Sequence, residues 1–190
     1  LSKIDSNNYQ HDFFLFKLDS NFKTINMKMY LVVLFSMILI SCSSNHSSNI
    51  IGIEYFPNGY ETSLIGGDVS SVQLLEDYMK HHNNKDVDLI KNLDHNDIKI
   101  YGSSGDSIVG SNNHAIFLEG WFKNNPPSWK ANYLIANDYI NEKGKREHWV
   151  TSCYDVSFEV DSQKVNLSHI YDVQIDSGKI KTIYIYEKNK

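Results

Sequence analysis

VNLSHIYDVQIDSGKIKTIYIYE, residues 165–187, decides the fold. Val165, Leu167, His169, Tyr171, Val173 and Ile175 fall at every second position, the period of a strand with one buried face. Asp176-Ser-Gly-Lys179 is a hairpin turn, and Ile180 to Glu187 returns as the last strand. Working upstream, Lys145 to Val160 alternates with Val150, Ser152, Tyr154, Val156, Phe158 and Val160 on one face. Trp129 to Ile140 alternates too, with Trp129, Ala131, Tyr133, Ile135, Asn137 and Tyr139 sharing a side. The turns Asn141–Gly144 and Asp161–Lys164 join these runs into a four-stranded meander.

The period changes ahead of Pro126-Pro127, which stops a helix opened by Gly110-Ser111 and striped by Ala115, Leu118 and Phe122. An earlier helix begins after Asp68, where Ser70 to Gln73 has capping-box spacing, and carries Val72, Leu75, Met79 and His82. Asp86 caps a short second helix with Leu89, Ile90 and Leu93. Between the second and third helices lie two strands, around Ile98–Tyr101 and Ile108-Val109. Helices segregated from antiparallel strands make the class α+β. The expected core is Leu75, Met79, Leu89, Ile90, Leu118, Phe122, Val156, Val173 and Ile180.

The N-terminal part reads as address and tether. Lys28 precedes Met29 to Ile40, twelve residues interrupted only by Ser36. At about 1.5 Å per residue that run spans ~18 Å, short for a bilayer crossing and right for a signal h-region. It ends in Leu39-Ile40-Ser41-Cys42, which resembles a bacterial lipobox, so Cys42 is the expected lipidation site and the bilayer the expected partner. Residues 1–26 read as upstream sequence or an over-extended gene start, 27–41 as lipoprotein signal peptide, 42–67 as tether and edge segment, and 68–187 as the folded domain. Ser43 after the cysteine places the expected anchor in the bacterial outer membrane, facing the periplasm.

Composition narrows the task. With 18 Lys and Arg against 23 Asp and Glu, the net charge of −5 argues against nucleic acid as partner. Arg146, the only arginine, leaves little for bidentate anion clamps. Two cysteines cannot build a Cys-rich zinc site, and HExxH and CxxC are absent. Neither a metal nor another cofactor is expected, and the neighbours His81-His82 read as a solvated pair.

Several marks resemble the nuclear transport factor 2-like superfamily, including SnoaL-like domains: Lys85-Asp86 between the first helices, Asp97 entering the first strand, Gly110 before the third helix, and the Val173–Ile180 hairpin with Tyr186. The resemblance covers Asp68 to Glu187. It implies a curved antiparallel sheet wrapped as a cone around about three helices, a pocket on the concave side, and often a homodimer through the outer sheet face.

What the resemblance implies for chemistry is mixed. Ketosteroid isomerases carry a tyrosine eight residues before their Gly-Asp turn, and Tyr78 stands eight before Asp86. Their base carboxylate falls where this chain has Tyr101-Gly102, and their second acid falls nearest Tyr171. Epoxide hydrolases of the superfamily need an arginine between two aspartates. Tyr78, Tyr101, Tyr154, His169 and Tyr171 are therefore the candidate pocket residues, read either as polar caps of a narrow cone or as an acid–base set. With no positioned carboxylate expected, the leading reading is a membrane-tethered domain that binds a small apolar ligand without catalysis. The alternative is a SnoaL-like lyase or isomerase using His169, Tyr171 and Tyr78.

Overall fold

The computed structural model describes residues 49–190, so the expected signal segment and Cys42 lie outside the described residues. Eight strands form one sheet: β1 (Ile50–Tyr55), β2 (Glu61–Gly66), β3 (Asp94–Tyr101), β4 (Ser107–Val109), β5 (Ser128–Ile140), β6 (Arg146–Val160), β7 (Gln163–Asp176) and β8 (Lys179–Asn189). Three helices pack on its concave side: α1 (Val69–Asn84), α2 (Val87–Leu93) and α3 (Ser111–Asn124). The spatial order is β1-β2-β5-β6-β7-β8-β3-β4. Every pairing is antiparallel except β3 with β8, which run parallel because β3 returns from the helical layer to the free side of the last strand.

The long meander folds as its alternation dictates. Val150, Ser152, Tyr154 and Val156 on β6, with Leu167, His169, Tyr171, Val173 and Ile175 on β7, are all buried. Two-residue turns with positive φ, at Asp161-Ser162 and Ser177-Gly178, match the right-handed twist of the strands they join.

β5 departs from the expected alternation. Its register shifts between Ala131 and Tyr133, where Asn132 is the extra residue of a bulge. A bulge reverses which side chains face inward beyond it. Trp129 is buried, but Tyr133 and Ile135 turn outward, while Leu134 and Ala136 pack against the core. Cys153 sits half-buried on the outer face with its Sγ 3.7 Å from Ser168 Oγ.

The helices also show two differences. The cap of α1 is Asp68, whose carboxylate accepts from Ser70 N at 2.7 Å, in place of a Ser70–Gln73 box. On α2, Ile90 is fully buried and Leu89 is 41% exposed, because a helix this short turns only one side chain of an adjacent pair into the core. The remaining expected core residues are buried.

Residues 50–66 add a hairpin to the sheet edge, so the folded unit extends beyond the domain start expected at Asp68. β2 joins β5 only through Ile65 and Gly66. The chain then crosses β5 at Gly67, where a Cβ would lie 2.8 Å from Asn137 N and 2.9 Å from Ala136 C. Only glycine permits that approach.

Candidate functional site

The cone's interior is set by α1, whose buried stripe carries Leu75, Tyr78, Met79 and His82. Asn83, near its end, clamps the first residues of β5. Its Oδ1 accepts from Trp129 N at 2.8 Å, and its Nδ2 donates to Trp129 O at 2.9 Å. This fixes the Trp129 indole beneath α1 and α3.

A buried carboxylate stands where none was expected. Asp94 is 1% exposed, placed at the junction of α2 and β3 by its own N–H on Ile90 O and by Lys179 Nζ on its carbonyl at 3.2 Å. Tyr78 donates its hydroxyl to Asp94 Oδ1 at 2.7 Å, and His114 Nδ1 lies 2.8 Å from Oδ2. A carboxylate only accepts, so His114 carries a proton on Nδ1. Burial and the Asp94 charge hold the Tyr78 phenol well above its ordinary range, so it remains a donor.

His82 is fixed in the same sense. Its Nδ1 lies 2.9 Å from the Tyr78 carbonyl, which can only accept. Burial pushes its pKa down to about 3, so the ring is neutral with Nε2 unprotonated. The His82 and His114 rings stand 6.0 Å apart. Among the described residues neither Nε2 has a hydrogen-bond partner.

A second chain of groups faces these from the sheet. Trp129 Nε1 donates to Tyr171 Oη at 2.8 Å, and Tyr171 Oη lies 2.9 Å from His169 Nδ1. His169 Nε2 is 3.1 Å from Glu187 Oε2. Burial lowers the His169 pKa and raises that of Tyr171, so both are neutral near pH 7. One assignment satisfies every contact: His169 Nε2–H donates to Glu187, and Tyr171 O–H donates to His169 Nδ1.

Both sets border one cavity of about 100 Å³. Tyr78, His82, His114, Trp129, His169 and Tyr171 are its polar wall, and the rest is aliphatic and aromatic. Phe117 and Trp121 on α3, with rings 5.7 Å apart, stand on its solvent side. Of the five sequence candidates, Tyr78, His169 and Tyr171 meet here. Tyr154 is buried behind them, its ring edge-on to Tyr171 at 5.7 Å, and does not line the cavity. Tyr101 points outward and stacks on Tyr184 at 4.9 Å, because Ile98 and Ile100 take the inward positions of β3.

Four lining or supporting groups were missed. Asp94 sits in the polar run Asp94-His-Asn-Asp97, and the register of β3 is broken between Asp94 and Lys99, so alternation could not tell it from Asp97. Asp97 itself is exposed and paired with Lys181. His82, expected in solvent, is buried by the stripe it shares with Leu75 and Met79. His114 on α3 and Trp129 on β5 were not among the candidate pocket residues. Arg146 pairs with Asp138 at 3.4 Å and takes no part in the cavity.

No protein-family model matches the chain, and no curated protein matches it by sequence. Solved structures do resemble it. An LEH-like epoxide hydrolase from M. tuberculosis aligns with a TM-score of 0.54 and 16% identity, over 63% of this chain and 84% of its own. A protein assigned as a polyketide cyclase in Xanthomonas campestris pv. campestris gives a TM-score of 0.48 and 14% identity, over 62% and 89%. One assigned as a ketosteroid isomerase in Kribbella flavida gives 0.48 and 11%, over 64% and 79%. The first likeness establishes the shared fold, the open, curved sheet around three helices of nuclear transport factor 2-like proteins.

Proposed function

We propose that the domain takes a small, largely apolar molecule into its cone and holds it by a hydrogen-bond donor of the ligand. The observation that carries this is the pair of imidazole nitrogens, His82 Nε2 and His114 Nε2, left without partners among the described residues in the wall of a largely apolar cavity. Tyr78 and Tyr171 have already committed their hydroxyl protons to Asp94 and His169. An incoming alcohol or phenol would therefore donate to the cavity. The space is smaller than the ~150 Å³ that accommodates benzene, which favours a ligand of a few non-hydrogen atoms or one that displaces Phe117.

Asp94 favours a second reading, proton transfer. A carboxylate on Nδ1 holds an imidazole in the tautomer whose Nε2 is basic and stabilises the imidazolium formed when that nitrogen takes a proton. His114 would be the base, Asp94 its positioning partner, and Tyr171 with His169 the opposing acid–base pair, as a lyase or isomerase requires. This moves the base from the residues singled out by sequence to one backed by the buried carboxylate.

The tether belongs to the same proposal. Cys42, acylated after signal removal, would hold the domain at a bacterial envelope membrane, where two acyl chains anchor stably and one does not. Cys42→Ser should release the protein from membrane fractions; full retention of the uncleaved variant would refute the anchor. For the cone, titration of the purified chain with isobutanol and with the donor-free isopentane separates the two claims. Saturable binding of the alcohol, weakened in His114→Ala, supports the site. Equal behaviour of both probes refutes the role given to the imidazoles.

A further inference from the structure

A larger cleft, of about 520 Å³, lies on the opposite side of the sheet. It exists because β1 and β2 do not continue the sheet plane. In spatial order β1 and β7 are four strands apart, roughly 19 Å in a flat sheet. Yet Glu54 on β1 and Asp172 on β7 line the same cleft. The hairpin, paired with β5 in the sheet ladder only at Ile65 and Gly66 and packed through Phe56 on Tyr139, folds over the outer face, where Glu54 and Asp172 line the same cleft.

The remaining wall mixes aromatic rings with aliphatic side chains and the polar Asn137 and Thr151. Tyr139, Trp149, Tyr184 and Tyr186 share the cleft with the two carboxylates, and among the described residues no lysine, arginine or histidine lines it. Trp149 and Tyr184 stack, with centroids 6.2 Å apart and planes 16° from parallel. The Trp149 Nε1 atom is buried beside the Tyr139 phenol. Asp172 Oδ1 accepts from Thr151 at 2.9 Å, which aims the carboxylate and leaves Oδ2 without a protein partner among the described residues. Burial raises the pKa of Glu54 and of Asp172, and the Asp172 charge raises Glu54 further. Two carboxylates thus repel each other in a partly desolvated space with no cation among the described lining residues to offset them.

We propose that this cleft binds a small organic cation, an amine or quaternary ammonium carrying an apolar group. The carboxylates supply the charge, and the faces of Tyr139, Trp149, Tyr184 and Tyr186 supply the quadrupolar attraction that cations find on aromatic rings. The volume is in the range of small-molecule sites. A bare Ca²⁺ or Mg²⁺ is a poorer match, since it needs about six oxygen ligands and the aromatic wall offers few.

The test uses the purified chain and a matched pair of probes in calorimetry: choline, and its uncharged isostere 3,3-dimethylbutan-1-ol. Choline should bind saturably and at least about tenfold more tightly than the alcohol. Glu54→Gln and Asp172→Asn should each weaken choline about tenfold or more, while neither lowers the melting temperature, because each removes a repulsion. If one of them fails to fold, the other carries the test, with Tyr184→Leu probing the aromatic wall. His114→Ala, in the cone, should leave choline binding unchanged. Equal affinity for the two probes, no saturable choline binding, or indifference to both carboxylate variants would overturn the proposal. So would a dimer whose interface covers the cleft and excludes choline.

Discussion

Asp94 Oδ2 stands 2.8 Å from His114 Nδ1 while Oδ1 takes the Tyr78 hydroxyl at 2.7 Å, so one buried carboxylate orients two groups of the cavity wall. That geometry ties the stability of the cone to its chemistry. Replacing Asp94 with Asn keeps the shape but gives one side an amide donor facing another donor. Asp94→Asn should lower the unfolding free energy by about 1–3 kcal/mol, the cost of a mispaired buried group. Urea denaturation checks this, and a change within error would mean that the pairing is not formed.

The buried His82 makes stability depend on pH with a definite sign. Its folded pKa, about 3, lies below the ordinary value of 6.5, so the unfolded chain binds the extra proton first. Its contribution is complete above pH ~6.5 and is lost as pH falls toward 3. The slope from this one group is at most about 1.4 kcal/mol per pH unit. His169, depressed in the same direction, adds to it. His82→Phe should flatten the fall in melting temperature between pH 6.5 and 4; an unchanged slope would mean that His82 is not buried neutral.

Core packing separates two leucines that the sequence grouped together. Leu118 is 1% exposed and Leu89 is 41% exposed. Leu118→Ala should cost about 2–5 kcal/mol, and Leu89→Ala no more than about 0.5. Equal losses in thermal denaturation would contradict the placement of α2.

The crossing at Gly67 is equally specific. A methyl group there meets backbone atoms of Ala136 and Asn137, which cannot step aside as a side-chain tip would. Gly67→Ala should destabilise by about 1–3 kcal/mol and loosen the β1–β2 hairpin first. Faster amide exchange at Ile53 and Thr62 than at Val150 and Val173 in the variant is the expected pattern. Exchange unchanged from the parent would show the hairpin to be held elsewhere.

The sheet was legible because alternation over thirteen to fifteen residues in β5 to β7 leaves one register that buries the apolar set. The same rule put His169 and Tyr171 on the inner face. It failed at Asn132 and at His95–Asp97, where a bulge and a broken register shift the parity without any glycine or proline to mark them. Asp94 was hidden for that reason, and with it the argument that no carboxylate serves the cavity. The β1–β2 hairpin was read as an edge segment, since nothing local encodes its fold across the outer face. Its pivot is a long-range contact of Gly67 with β5.

The claim that matters most is that the cone presents unprotonated imidazole nitrogens to a ligand. Long-range ¹H–¹⁵N correlation spectra of the histidine side chains, recorded near pH 7 during an isobutanol titration, measure it directly. The account predicts Nδ1–H tautomers for His82 and His114 and saturable movement of their Nε2 resonances. An Nε2–H tautomer at His114, or Nε2 resonances that stay fixed throughout the titration, would contradict it.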